Sequence, residues 1–318
     1  MERTALLRKA GVTGMEEAVI FWGENKSGSE ILLGAPLRME IKKDRGAADM
    51  LTILFPAADI WENIRSIYGY RAESHGLIFS GLVDEQTALF GGDGIRIEMV
   101  ARSLAALLID NEVMPQTIRN PSLAFISRHF LEPLGLRAAA GDMAARSGEL
   151  VIKKGTSVMS LMNEFCRVFL GTEPYVTREG LVYCGGSPSP GRVKPDRLLS
   201  WEISEKNCEI LSEVWAKNSE TGGYSARFVN PLADGIVRRR YTDKPGTVDF
   251  FVKRQVRAAV PGFVEVDIFD RAELPMGITG TVTGVKISGG NSGFTTFITA
   301  EENEKGDGYV DFTKAPKK

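Results

Sequence analysis

Apolar and polar positions alternate through the first third of the chain. Leu37, Met39 and Ile41 are separated by polar residues, the period of a half-buried strand. Met50-Leu51-Thr52-Ile53-Leu54-Phe55 is more continuously apolar and predicts a buried strand stopped by Pro56. Ile60 to Ile67 predicts a short helix. Leu77 to Val83 and Ile95 to Val100 predict two further strands. Gly91-Gly92-Asp93-Gly94 between them suits a hairpin turn, because glycine accepts positive φ. Several antiparallel strands within a hundred residues point to a small barrel or sandwich.

The period then changes. Ser103 is a candidate N-cap before Leu104, Leu107 and Leu108. Asn120-Pro121 is a clearer helix start, with Asn as the cap and Pro at the first helical position. Leu123, Phe125-Ile126 and Phe130 supply the apolar face, which Pro133 and Gly135 close. Ala138 to Gly148 reads as a surface connection. Leu150-Val151-Ile152 predicts a strand and Gly155-Thr156-Ser157 a turn with a cap. Val158, Leu161-Met162, Phe165 and Val168-Phe169 follow at helical spacing up to Gly171. Tyr175-Val176-Thr177 and Leu181-Val182-Tyr183 flank Arg178-Glu179-Gly180 as a hairpin, which completes a compact β-α-β-β unit. Gly185 to Pro195 has the Gly, Pro and Ser content of a linker.

Beyond the linker the strand pattern returns. Ile210 to Ala216 and Tyr224 to Val229 flank a hairpin tip at residues 219–223. Thr281 to Ile287 and Phe294 to Ala300 flank another at residues 288–293. Val248 to Val256 fits either a strand or one face of a helix. The segment from Glu302 is charged and Gly-rich and is expected to be a flexible tail. No tandem repeat is visible.

Composition narrows the function classes. The 318 residues have 43% hydrophobic and 25% charged content, that of an ordinary globular protein. Thirty-nine basic against 41 acidic residues give a net charge of −2, unlike the basic excess of a dedicated nucleic-acid binder. Arg238-Arg239-Arg240 remains a local contact candidate beside its reading as a solvated strand or loop. Cys166, Cys184 and Cys208 are an odd number without CxxC spacing, and read as reduced, buried small hydrophobes of a protein made in the cytoplasm. The opening MERTALLRKAGVTGMEEAVIFWGENK has charges where a signal peptide needs an unbroken apolar run, and no stretch reaches membrane-spanning length. Leaving the cell would require a larger vehicle.

Candidate chemistry is sparse. The two histidines, His75 and His129, have no partner pattern, there is no G-x-S-x-G elbow, and metal-ligand types are scattered. Asp84-Glu85 could serve a glycosidase only if both carboxylates flanked one bond. Adjacent residues on a strand point to opposite faces. The glycine pairs at 91–92, 185–186, 222–223 and 289–290 form no phosphate loop and fall in expected turns or the linker. Asn25-Lys26-Ser27 matches a glycosylation acceptor without a secretion signal to give it meaning. Ile152-Lys153-Lys154-Gly155-Thr156-Ser157 opens like a LysM peptidoglycan-binding module, but a hairpin follows where LysM has a second helix. The expectation is a non-enzyme with no catalytic, cofactor or metal site.

Three segments in order then carry a resemblance: Phe79-Ser80-Gly81-Leu82-Val83-Asp84-Glu85, Ile95 to Leu104, and Leu107-Leu108-Ile109-Asp110-Asn111-Glu112. Together with Asn120-Pro121-Ser122-Leu123, Pro133-Leu134-Gly135, the unit beginning at Val151 and the hairpin from Ile278 to Ala300, they resemble the baseplate hub proteins of contractile phage tails. This is the Mu-like, late-control-D and PBSX-like group, whose members also occur in phage-tail-like bacteriocins. The resemblance covers roughly residues 35 to 300 and lies in order and spacing; residues 241–276 and the first 30 depart from it.

The resemblance implies an α+β, mainly β fold with two tube-like antiparallel β-barrel domains and an α/β segment between them. The first barrel would occupy residues 1–102 and the α/β domain 103–190. The second barrel would occupy 191–303, with room for a small insertion at 241–276, and the tail 304–318. It also implies a homotrimer whose six barrels join the sixfold tail tube to the threefold central spike. Expected partners are the spike protein, the tube or tube-initiator protein and, further out, tape-measure and baseplate wedge proteins. No specific nucleic acid and no membrane insertion are expected, and assembly would take place in the bacterial cytoplasm before incorporation into the virion or tail-like particle. The alternative is a cell-wall binding tail protein using the LysM-like unit at 150–183. A weaker third is a phage-associated hydrolase using Asp84 or Glu85.

Overall fold

The structure, a computed structural model, describes residues 19–302 and 309–311 apart from 57–61, 72–75, 93, 140, 142, 186–188, 206–207, 209–210, 218–221, 231–232, 234, 236, 243–246 and 250–253. The first strand-rich part contains β1 (Val19–Asn25), β2 (Glu30–Gly34), β3 (Arg38–Asp44), β4 (Met50–Pro56), β5 (Ile64–Arg71), β6 (Leu77–Gly91) and β7 (Gly94–Ser103). The period-2 pattern decides what each strand buries. β3 turns Met39, Ile41 and Lys43 inward, and β4 turns Leu51, Ile53 and Phe55 the same way.

The middle part contains α1 (Ala106–Asp110), β8 (Gln116–Arg119), α2 (Leu123–Ile126), β9 (Arg137–Ala138), β10 (Glu149–Ile152), α3 (Val158–Phe165), β11 (Pro174–Val176) and β12 (Leu181–Cys184). α2 and α3 each continue into a wider π-type turn, Ser127–Leu131 and Cys166–Leu170. Their apolar faces meet over a separate core that includes Leu108, Ile126, Leu161, Met162, Phe165 and Val182.

The last part contains β13 (Arg192–Val193), β14 (Ser200–Glu205), β15 (Glu213–Lys217), β16 (Tyr224–Val229), β17 (Arg239–Thr242), β18 (Thr247–Asp249) and β19 (Arg254–Pro261). β20 (Arg271–Glu273), β21 (Thr279–Gly290), β22 (Gly293–Glu302) and β23 (Tyr309–Asp311) complete it. β1 to β7 of the first part and β13, β14 and β19 to β22 of the last form one thirteen-stranded sheet. β15 to β17 make a separate three-stranded sheet, and β18 pairs with β23. The order of the large sheet is β14-β19-β22-β21-β3-β4-β7-β6-β5-β1-β2, with β20 beside β21 and β13 beside β20. The seam is the antiparallel pair β21–β3, Gly284 to Gly290 against Asp44 to Arg38. One apolar core runs across it, from Phe21, Phe79 and Met99 to Val256, Val282 and Ile298. The fold is thus mainly β, with a large antiparallel sheet and a small helical part.

Several expected elements differ. The helix expected over Ile60 to Ile67 is not present in its described part: Ile64–Arg71 is strand β5, and residues 60 and 61 lie outside the described set. β1 and β6 each hydrogen-bond to it, so the sheet overrides the local pattern. Ser103 caps no helix: its hydroxyl accepts from the Asp49 N–H and holds β7 to the segment before β4. Asn120 sits at φ +48°, and the cap of α2 is Ser122, which accepts from Phe125 N–H at 3.1 Å. The β-α-β-β segment does not form its own sheet. β10 pairs with β8, while β12 pairs with β11 and, in parallel, with β9. Arg137–Ala138 and Arg192–Val193 are therefore strands where a connection and a linker were expected. The ambiguous stretch contains strands Thr247–Asp249 and Arg254–Pro261, and Tyr309–Asp311 in the expected tail pairs with β18.

Two glycines in β6 and β5 are demanded by close approach. A side-chain carbon on Gly81 would run into the Arg102 carbonyl of β7, and one on Gly69 into the ring of Phe21. Gly81→Ala should therefore cost about 1–3 kcal/mol, since the obstacle is backbone that cannot rotate away. Urea unfolding monitored by circular dichroism checks this; an unchanged midpoint would contradict the packing described.

Candidate functional site

The buried face of β3 carries an ion. Lys43 is the third inward residue after Met39 and Ile41 and is only 3% exposed. Its Nζ lies 2.9 Å from Asp267 Oδ2 and 3.6 Å from Asp49 Oδ2. Arg178, on the β11–β12 hairpin, donates from Nη2 to the same Asp267 oxygen at 2.8 Å and from Nη1 to the Leu77 carbonyl at 2.8 Å. Asp267 thus joins the first strand-rich part, the middle part and the last part at one carboxylate.

A folded turn positions that carboxylate. Asp270 accepts from Asp267 N–H at 2.7 Å and from Gly191 N–H at 2.6 Å, and Ile268 N–H donates to Asp267 Oδ1 at 2.9 Å. The turn forces Phe269 to φ +74°, a conformation that costs a side-chain-bearing residue about 1–2 kcal/mol. The strained backbone places the Phe269 ring edge-on to Tyr175, with centroids 5.9 Å apart, and beneath the Arg45 guanidinium at 5.3 Å. Arg45 in turn makes a two-pronged pair with Glu173 at 2.7 and 2.8 Å. A cavity of about 50 Å³ remains among Asp49, Ser103, Asn163, Tyr175 and Arg178, room for a water or two.

The two carboxylates beside Lys43 respond in opposite senses. Burial pushes Asp49 up further than the nearby Lys43 can pull it down, and Asp267 adds to the rise. Burial also pushes Asp267 up, but Lys43 and Arg178 outweigh it and hold the group below the usual carboxylate range. Burial raises the Tyr175 phenol as well, with the neighbouring Asp267 adding to it. The cluster is built as a clamp between parts of the chain: every charged group in it has an opposite partner within the protein.

Other candidate residues are dispersed. Asp84, at a bulge in β6, is bound by Arg102 at 2.5 and 3.1 Å, and Arg102 also pairs with Asp110, whose carboxyl it holds low. Glu85 accepts from the Thr87 hydroxyl at 3.4 Å, so the two carboxylates of this pair engage different partners. His129 is exposed, its Nδ1 lies 2.9 Å from the Phe125 carbonyl, and its ring stacks on Phe125 at 4.1 Å. His75 lies outside the described residues. Asn25 Oδ1 accepts from the N–H groups of Ser27 and Ser29 in the β1–β2 turn. Cys166 is buried and Cys184 half-buried, but Cys208 is exposed, which corrects the reading of all three as buried. Arg239, on β17, pairs with the buried Glu213 beside the stacked Trp215 and Tyr241 rings. In the LysM-like unit the opening strand β10 pairs outside the unit, with β8, while β11 and β12 pair with each other. Among the described residues no group of three or more His, Cys, Asp or Glu side chains is placed to hold a metal, and no helix is long and apolar enough to cross a membrane.

Two surfaces remain open. β14 and β2 end the large sheet, each with one ladder filled. Along β14 every residue is exposed, including Trp201 and Ile203 on one side of the strand. The β6–β7 hairpin runs on past its flanking strands, because β5 leaves β6 at Leu82 and β4 leaves β7 at Arg96. Its tip presents Leu89, Ile95 and Phe90, the last 78% exposed.

No family model matches the chain. No curated protein matches it in sequence either. Solved structures do match. A tail protein of Neisseria meningitidis MC58 superposes with a TM-score of 0.69 at 15% identity, over 95% of this chain and 99% of that one. The 43 kDa tail protein of prophage MuSo2 from Shewanella oneidensis gives 0.72 at 12% identity, over 89% and 98%. An E. coli component of the type VI secretion system, described as structurally similar to the bacteriophage T4 tail proteins gp27 and gp5, gives 0.51 at 10% identity, over 96% and 79%. The chain has the fold of these phage tail proteins along nearly its whole length.

The clamp makes a signed prediction. Asp267→Asn leaves the buried Lys43 and Arg178 short of their shared anion and should cost about 3 kcal/mol at neutral pH. Asp49→Asn replaces a carboxylate whose ionisation burial opposes, so it should cost much less or stabilise. Asp267 is held low, so its contribution is present above the unfolded carboxylate range and is lost as pH falls through the folded value. Asp49 is held high, so its contribution is present below the unfolded value and is lost as pH rises through the folded one. Urea midpoints for both variants at acidic and neutral pH check the pair; equal losses at neutral pH would contradict the assignment.

Proposed function

We propose that the chain is the structural hub of a contractile-tail baseplate or tail-like particle, a homotrimer that joins the sixfold tube to the threefold spike. The observation that carries the reading is the large sheet. Two strand-rich parts lie side by side across the β21–β3 seam and leave opposite open edges, β14 and β2. Such a subunit is suited to head-to-tail association, where the β14 edge of one copy meets the β2 edge of the next and the ring closes. Each copy then supplies two barrel-like units, and three copies supply six quasi-equivalent positions.

The superposable phage tail proteins and the type VI secretion component support a role within a tail or injection apparatus. Full internal pairing of the charged cluster and the different partners taken by Asp84 and Glu85 support a non-enzymatic role. On this reading the partners are the central spike, the tube or its initiator, and the tape-measure and wedge proteins around them. Assembly takes place in the bacterial cytoplasm and the protein leaves as part of the particle.

Sedimentation velocity on the purified chain is expected to show trimers. The double variant Trp201→Lys with Ile203→Lys places cations along an exposed edge and is expected to give monomers with an unaltered circular dichroism spectrum. A wild-type chain that stays monomeric at high concentration would overturn the reading. A trimer indifferent to the double variant would remove β14 from the interface.

A further inference from the structure

Cys166 and Cys184 belong to different elements but share one place in the second core. Cys166 opens the π-type turn that continues α3 and is fully buried; Cys184 ends β12 and is half-buried. The chain folds them together through the segment between. The Cys166 carbonyl accepts from Thr172 N–H at 3.1 Å, and Pro174, two residues on, opposes Cys184 in the β11–β12 ladder. Gly185 N–H then donates to the Glu173 carbonyl at 3.0 Å and fixes the end of β12 against the same segment. The two thiols lie near enough that each shifts the acidity of the other. Cys208 lies exposed in the last part of the chain.

We propose that Cys166 and Cys184 form a site of reversible oxidation, a dithiol during assembly and a disulfide once the protein meets a small-molecule disulfide outside the reducing cytoplasm. The timing rests on the tail-particle reading; the capacity of the pair rests on its geometry alone. The half-buried Cys184 meets the oxidant first. Its thiolate attacks one sulfur of a glutathione-type disulfide, displaces the other half as a thiolate and becomes a mixed disulfide. Cys166 then gives up its proton and its sulfur attacks Cys184 Sγ, which expels the second thiolate. Two protein thiols lose two electrons and two protons, and one small disulfide is reduced to two thiols. The acidities favour the division of roles: the neighbouring Cys166 pulls the Cys184 thiol down, while Cys184 and burial push Cys166 up. The new bond staples the end of the α3 extension to the end of β12, at the exit from the middle part of the chain.

The test uses the full chain purified under reductant, then treated with oxidised glutathione and digested without reduction. A cross-linked peptide pair containing Cys166 and Cys184 is expected. Thiols that alkylate after denaturation, with glutathione adducts scored separately, are expected to show Cys166 and Cys184 lost together. The melting temperature is expected to rise and to return on adding reductant. Cys208→Ser should leave the cross-link intact and Cys184→Ser should abolish it. A glutathione adduct that persists on Cys184 with Cys166 free, or cross-links that run only through Cys208, would overturn the proposal. A cross-link that forms in a chain found to be monomeric would uphold the site and count against the hub reading alone.

Discussion

The antiparallel pairing of β21 with β3 is the constraint on which the rest of the structure depends. Seven backbone positions, from Gly284 to Gly290, lie opposite Asp44 to Arg38 and turn two strand-rich parts of the chain into one sheet. Their sequence separation is large, so the loop-closure cost falls on this pairing and is offset only when the shared core forms. The seam also sets what β3 presents inward. Because Met39 and Ile41 face the core, Lys43 must follow them in, and an ammonium there is tolerable only with an anion fixed beside it. Asp267 is that anion. Its turn holds Phe269 in a left-handed conformation and delivers the ring to Tyr175, so the middle part is docked by the same residues that neutralise the seam.

This arrangement accounts for the shifted carboxyls of Asp49 and Asp267. Asp49 and Asp267 are driven apart in acidity, a pattern that marks many catalytic pairs. Here both face Lys43, and Arg178 also binds Asp267 while anchoring to the Leu77 carbonyl. The shifts follow from fastening three parts of the chain at a buried point.

Much of the sheet was legible in the sequence. The alternation of Met39 and Ile41, the run from Met50 to Phe55, and the hairpins expected around residues 91–94 and 288–293 correspond to paired strands. Helical spacing from Val158 to Phe169 likewise marked α3 and its extension. What failed were elements decided by distant partners. Ile64–Arg71 is a strand because β1 and β6 flank it, and Arg192–Val193 is one because β20 lies alongside. The clamp was missed for the same reason, since Lys43, Arg178 and Asp267 are far apart in sequence. One local signal existed: a lysine in phase with two buried residues of an alternating strand implies a buried charge and hence a distant carboxylate. Asp84-Glu85, adjacent and conspicuous, drew attention that the structure gives to Arg102.

The open edges and the seam are two sides of one design: the pairing that consumes β3 and β21 leaves β14 and β2 at the ends of the sheet. The most direct test of the hub reading is electron microscopy of the purified, full-length chain. Closed threefold rings with six similar lobes around a central opening are expected. Single compact particles, or rings of another symmetry, would contradict that reading.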